Sequence, residues 1–358
     1  MSESNTSSLQ GNDQLVARKN GFRFWIGLLI SVIFVYLSLR KVDIAAVYNI
    51  IIDVVLFYLF LSVVVAIVNL LIRAVRWKLV INPVKQVRLS RVFSYLMIGY
   101  MINNVLPFRV GELGRGVLLA KEEQFSKSSA MASVIVERCF DWVGLAAFLP
   151  FFLVGSLVPS DTKWTLIFSG LLGVCILIAF CFLARKSDLT MRLAVWAVSI
   201  LPAKIADRIL SLLVSFLAGM KVLRDVRQVA VILLVSLLPW IMAVLATSLR
   251  FSAFHLELPL YAALVCVIAV NFASALPSSP GQIGVAHYAY LVALTFFFKV
   301  DRETAVAFGI VTHALAYLLT TLPGAAIIAW QSIKLRKVPD QRDLKLAASA
   351  DIPSEEQA

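Results

Sequence analysis

Long apolar runs separated by short polar stretches set the rhythm of this chain. A helix that crosses a bilayer needs about 20 mostly apolar residues, because the hydrocarbon is ~30 Å thick and each helical residue rises ~1.5 Å. Regions 24–39, 54–72, 164–183, 229–249 and 304–330 meet or approach that length, and 128–158 exceeds it although it carries Glu137, Arg138 and Asp141. Two further runs, 92–108 and 260–298, are broken by Asn, Pro and Gly, which suits re-entrant hairpins better than plain spans. The pattern predicts an all-α polytopic membrane protein with about six full spans and two re-entrant hairpins, about eight membrane segments. The first run ends in Arg40-Lys41 with no small-residue cleavage pattern, so it reads as a retained anchor.

Composition supports that class. Of 358 residues, 60% are hydrophobic and 15% charged, against roughly 45–50% and 25% in soluble domains. The net charge of +12 lies between apolar spans, which disfavours a nucleic-acid partner and fits loops facing anionic headgroups. By the positive-inside rule, segments 1–23, 73–93, 108–130, 184–228 and 331–358, with 26 of the 33 Lys and Arg, are cytoplasmic. Segments 40–53, 159–163 and 299–304, together with Arg250, then face outside, and both termini lie inside a multi-pass cytoplasmic membrane protein. Residues 185–228 alternate apolar and basic positions at helical spacing, as amphipathic helices on the inner surface or a solvated hairpin would. The expected organisation is a disordered cytoplasmic tail (1–23), a membrane domain (24–330) and a second cytoplasmic tail (331–358). Cys139, Cys175, Cys181 and Cys266 lie in apolar stretches without CxxC spacing, so neither a metal nor any other cofactor is expected.

A repeat carries more information. Leu106-Pro107-x-x-x-Gly111-x-x-Gly114 and Leu276-Pro277-x-x-x-Gly281-x-x-Gly284 share one pattern. Asn103-Asn104 precedes the first copy and Asn271 the second, and a long apolar helix follows each, with Glu137-Arg138 matching Thr312-His313. The units, about 54–158 and 229–330, start on opposite sides by the charge rule and are therefore inverted copies, an arrangement common in transporters. In each loop the proline ends the incoming helix, the glycines allow tight turns, and freed N–H groups at the next helix start could meet an anion. In the first loop Arg109 and Arg115 add positive charge around Glu112.

Three ionised groups in a membrane helix need a reason, since each costs roughly 2.5–3.5 kcal/mol at mid-bilayer. Arg138 and Asp141 are spaced to pair, and Glu137 shares a face with Asp141. Either they form a structural ion pair or they line a headgroup cavity. Arg73 and Arg76 read first as snorkelling anchors at a span end and second as a phosphate clamp. His313 is a candidate intramembrane polar partner. No catalytic motif is present.

The run Arg73-x-x-Arg76-Trp77, then Asn104-Val105-Leu106-Pro107-x-Arg109-x-Gly111-Glu112-x-Gly114-Arg115, resembles the lysylphosphatidylglycerol synthase transmembrane region, or flippase-like domain, family. Val134-x-Val136-Glu137-Arg138-x-x-Asp141 and Pro277-x-x-Pro280-Gly281-x-Ile283-Gly284 are similar to its other signatures. The resemblance implies a polytopic fold with lipid-translocating activity in members that flip aminoacylated phosphatidylglycerol. Those members carry a fused aminoacyltransferase domain that is not found here, so synthase activity is not expected. The reading is a lipid flippase or lipid-binding transporter rather than an enzyme, with membrane lipids as partners. A separately encoded lipid-modifying enzyme is a further candidate partner. The alternatives are a membrane transferase using Glu137 or Asp141 as base, which would need a donor-nucleotide site, or an accessory subunit.

Overall fold

The computed structural model describes residues 28–106, 109–148, 160–185, 187–199, 202–274 and 279–336. Pro107, Pro277, the start of the first apolar run and most of both expected tails lie outside these residues. The described residues are helical and contain no strand.

The helices in chain order are α1 (Leu28–Leu39), α2 (Ile44–Ile52), α3 (Leu56–Ile81), α4 (Leu89–Val105), α5 (Val110–Glu122), α6 (Lys127–Ala146) and α7 (Ser160–Arg185). They continue with α8 (Ser187–Val198), α9 (Ala203–Gly219), α10 (Val226–Ala253), α11 (Leu260–Ala273), α12 (Val285–Val292) and α13 (Arg302–Arg336). Polar caps start several of them: Asp43 accepts from the N–H groups of Ala45 and Ala46, and Asp225 from those of Arg227 and Gln228, satisfying donors that a first turn leaves free. Among the described residues, three helices, α3, α10 and α13, are long and apolar enough to cross a membrane. Their outward faces carry exposed Phe57, Phe60, Leu234, Leu238 and Leu322, an apolar exterior that only lipid makes tolerable.

The order long helix, hairpin, long helix occurs twice, as α3–α4–α5–α6 and α10–α11–α12–α13. The first long helices of the two units pack on each other. The Val55 N–H donates to the Ala253 carbonyl at 2.9 Å, and the Arg250 Nε donates to Ser62 Oγ at 3.3 Å. The start of α3 therefore meets the end of α10, and the two helices run antiparallel. Each hairpin also leans on the other unit. Asn104, at the end of α4, donates from Nδ2 to Thr320 and Thr321 of α13, at 2.8 Å each. On the other side, Phe272 of α11 meets Trp142 of α6 edge-on at 6.4 Å.

The structure refines four parts of the sequence reading. Region 108–130 is helical and not a loop: α5 folds back along α4 as the second arm of the hairpin, which buries Arg115 and leaves Arg109 at the hairpin tip. Arg250, grouped with the outer segments, lies near the end of α10 that meets the start of α3 and is buried there. Residues 44–52, within the segment placed outside, form α2 on α13. The helix of α13 continues to Arg336, into the stretch read as tail. Each reflects tertiary packing, which charge counting along the chain does not register.

Of the connector, α9 is held against α6. Ser129 Oγ donates to the Ser215 carbonyl at 2.5 Å and Ser128 Oγ to that of Leu212 at 2.9 Å. Trp196 on α8 is 76% exposed, suited to headgroup depth.

Candidate functional site

Where α3, α5 and α6 converge, charged side chains form a line of alternating sign. Arg115 donates to one Glu137 oxygen at 2.5 Å, and Arg76 to the other at 2.7 Å. Arg76 also donates to one oxygen of Asp141, whose second oxygen lies 3.1 Å from Arg138. Arg138 approaches Glu112 at 3.8 Å, and Arg109 approaches the same carboxylate at 3.7 Å.

The line has two ends of different character. Arg76, Arg115 and Glu137 are at most 1% exposed. Both oxygens of Glu137 are engaged, so the carboxylate that spacing alone left without a partner is held by two guanidiniums. The snorkelling reading of Arg76 is corrected accordingly: its head group lies inside the bundle, tied to α6. Arg115 also stacks on Trp77, with its guanidinium carbon 4.4 Å from the ring centroid, a favourable cation–π geometry. Trp77 is in turn fixed by its indole N–H, which donates to Ser133 at 3.3 Å.

The other end opens into a cavity of about 120 Å³ lined by Arg73, Arg109, Arg138, Asp141, Trp142, Leu145, Trp240, Asn271 and Phe272. Its walls come from both units: α3 and α6 with the tip of the first hairpin on one side, α10 and α11 on the other. Arg109 holds a left-handed backbone, φ +51°, a conformation costing roughly 1–2 kcal/mol in a residue other than Gly. That cost keeps a guanidinium at the mouth, where its side chain is 45% exposed.

The glycines act differently from the sequence expectation. A methyl group on Gly111 would lie 2.1 Å from the Gly99 carbonyl oxygen. Gly111 therefore lets α5 touch α4 and does not face the cavity. A methyl on Gly99 would meet Arg115 at 2.8 Å, so the close crossing also clears a path for Arg115 to reach Glu137. Gly281 and Gly284 have φ of +69° and +87°, as tight turns require. Their surroundings are protein: Tyr317 and the Asn104 carbonyl at Gly281, and α1 at Gly284. The N–H of Gly284 donates to His287 Nδ1 at 3.2 Å, and that of Ser279 to Ser31 Oγ at 2.9 Å, so these donors are already engaged and are not free for an anion.

The two loops thus meet, through Gly281 and Asn104, but do not share one anion site. His313 lies under the second loop, 4.7 Å ring to ring from His287 and apart from the charged line. Asn104 is a tie between units. Pattern reading did not single out Trp142, Trp240 and Phe272 of the cavity wall, because aromatic residues in apolar helices carry no local signal of what they face.

The sequence pattern of the family described as the lysylphosphatidylglycerol synthase TM region matches residues 24–324. A UPF0104 membrane protein of Methanocaldococcus jannaschii is 24% identical over 329 residues, covering 87% of this chain and 96% of the relative. One of Methanothermobacter thermautotrophicus is 23% identical over 288 residues, covering 76% and 85%. A second from M. jannaschii is 25% identical over 229 residues, covering 63% and 91%. No solved structure matches. The match spans the first unit, most of the second, the two hairpins and every residue of the charged line, and the chain belongs to the lysylphosphatidylglycerol synthase TM region family.

Proposed function

We propose that the protein binds a membrane lipid by its headgroup in the arginine-lined cavity and moves it across the cytoplasmic membrane, as a flippase-like carrier and not as an enzyme. The observation that carries this reading is a positively charged cavity whose walls belong to two oppositely running units. A site at such a seam changes its access when one unit rocks against the other. The transferase alternative needs a free general base. Both oxygens of Glu137 and both of Asp141 are engaged by arginines, which leaves neither suited to accept a substrate proton.

Depth fits the same reading. Arg76 lies twenty residues beyond the start of α3, about 30 Å along the helix. With the N-terminal end of α3 outside, the line of charge sits toward the cytoplasmic leaflet. The test is reconstitution into vesicles with a labelled anionic phospholipid in one leaflet, following its appearance in the other. Wild-type protein is expected to equilibrate the label and Arg138→Gln to slow it. Equal rates in protein-free vesicles would refute the reading.

A further inference from the structure

Resting on the headgroup reading, we infer that the cavity receives a single lipid phosphomonoester, in preference to a phosphodiester or an amine-bearing headgroup. Charge is the first argument. Around the cavity and its base, five guanidiniums (Arg73, Arg76, Arg109, Arg115 and Arg138) meet three carboxylates, Glu112, Glu137 and Asp141. Two positive charges are uncompensated in a site walled by apolar helices. A phosphomonoester carries about −1.5 to −2 at pH 7, which meets that surplus. A phosphodiester supplies one negative charge, and an aminoacylated phosphodiester supplies none in net.

Geometry is the second. Planar guanidiniums bind phosphate oxygens through paired N–H donors. Of the three that line the cavity, Arg138 holds Asp141 at 3.1 Å but approaches Glu112 only at 3.8 Å, and Arg109 approaches Glu112 at 3.7 Å. These longer approaches leave donors that a phosphate can take up.

Size and wall chemistry are the third. A volume of about 120 Å³, several times the ~10–15 Å³ that a single water needs by the same measure, admits a phosphate group. The rest of the wall offers little to a polyol. The indole N–H of Trp240 has no partner but is closed off from solvent, and the Asn271 side-chain amide donates to the Val267 carbonyl at 2.8 Å. Trp142, 42% exposed, carries the wall out to the lipid-facing surface, where an esterified tail would leave.

The experiment is equilibrium binding by the full-length purified protein in phosphatidylcholine nanodiscs containing either phosphatidic acid or phosphatidylglycerol, with inorganic phosphate as a soluble competitor. Near pH 7.5, phosphatidic acid is expected to bind about tenfold or more tightly than phosphatidylglycerol, the scale of one further charge-assisted hydrogen bond. At about pH 5, below the second ionisation near 6, that preference is expected to collapse. Arg73→Gln and Arg109→Gln, at partly exposed positions, should bring phosphatidic acid down to the level of phosphatidylglycerol. Equal affinity for the two lipids in the wild-type protein overturns the inference and leaves the headgroup reading standing, whereas binding of neither lipid removes both. Inorganic phosphate binding as tightly as phosphatidic acid also overturns it, by assigning the cavity to a free anion. Should the variants fail to fold, the wild-type comparison of the two lipids and its pH dependence decide the matter alone.

Discussion

Glu137 and Arg138 are neighbours in the chain and belong to opposite ends of one charged line. Glu137 is fully buried between Arg76 and Arg115. Glu137→Gln strands both cations, and breaking a buried pair this way costs about 3–5 kcal/mol; the expected result is a marked drop in thermal stability and in folded yield from detergent. Arg109 is the contrast. Its left-handed backbone favours glycine, so Arg109→Gly should leave the stability unchanged or raise it, by about 1 kcal/mol at most, while weakening anionic lipid binding. A large loss of stability in Arg109→Gly would show that the residue holds the hairpin and not a ligand. The sequence did mark Glu137, Arg138 and Asp141, because ionised groups in an apolar run stand out from their surroundings. It misjudged Arg76, because a basic residue near a helix end looks the same from the chain whether it snorkels or turns inward.

Among the elements, the first hairpin depends on contact between two glycines. A methyl on Gly111 would collide with the backbone oxygen of Gly99, which has no side-chain freedom with which to yield, whereas nothing lies within 4 Å of one on Gly114. Gly111→Ala should therefore destabilise the protein and disturb Arg115. Gly114→Ala should be tolerated, or stabilise by about 0.5–1 kcal/mol through helix propensity. Comparing the two melting temperatures checks this, and equal effects would sink the packing account. Broken helices were legible from Asn, Pro and Gly in apolar runs. The return arm α5 was not, since its basic residues resemble those of a cytoplasmic loop and only their buried partners reveal otherwise.

For the whole molecule, the antiparallel contact of α3 and α10 agrees with the inversion expected from the charges. It leads to an expected topology. In a cysteine-free background, Asp53→Cys should react with an impermeant reagent in intact cells, and Gln86→Cys only after permeabilisation. Reaction of Gln86→Cys from outside would reverse the assignment and with it the leaflet nearest the cavity. The sequence by itself determined the solvent the fold is built for, the places where helices break and the twofold order of the units. Those properties follow from local composition and from periodicity, which the bilayer's thickness reads directly. Only the tertiary structure decided which charges are structural and which face a ligand. Arg76 meets Asp141 and Glu137 across 65 and 61 residues of chain, and the cavity wall draws Trp240 and Phe272 from the other unit. A charge's role depends on the partners that compensate it, and here those partners are brought together by helix packing and not by spacing along the chain.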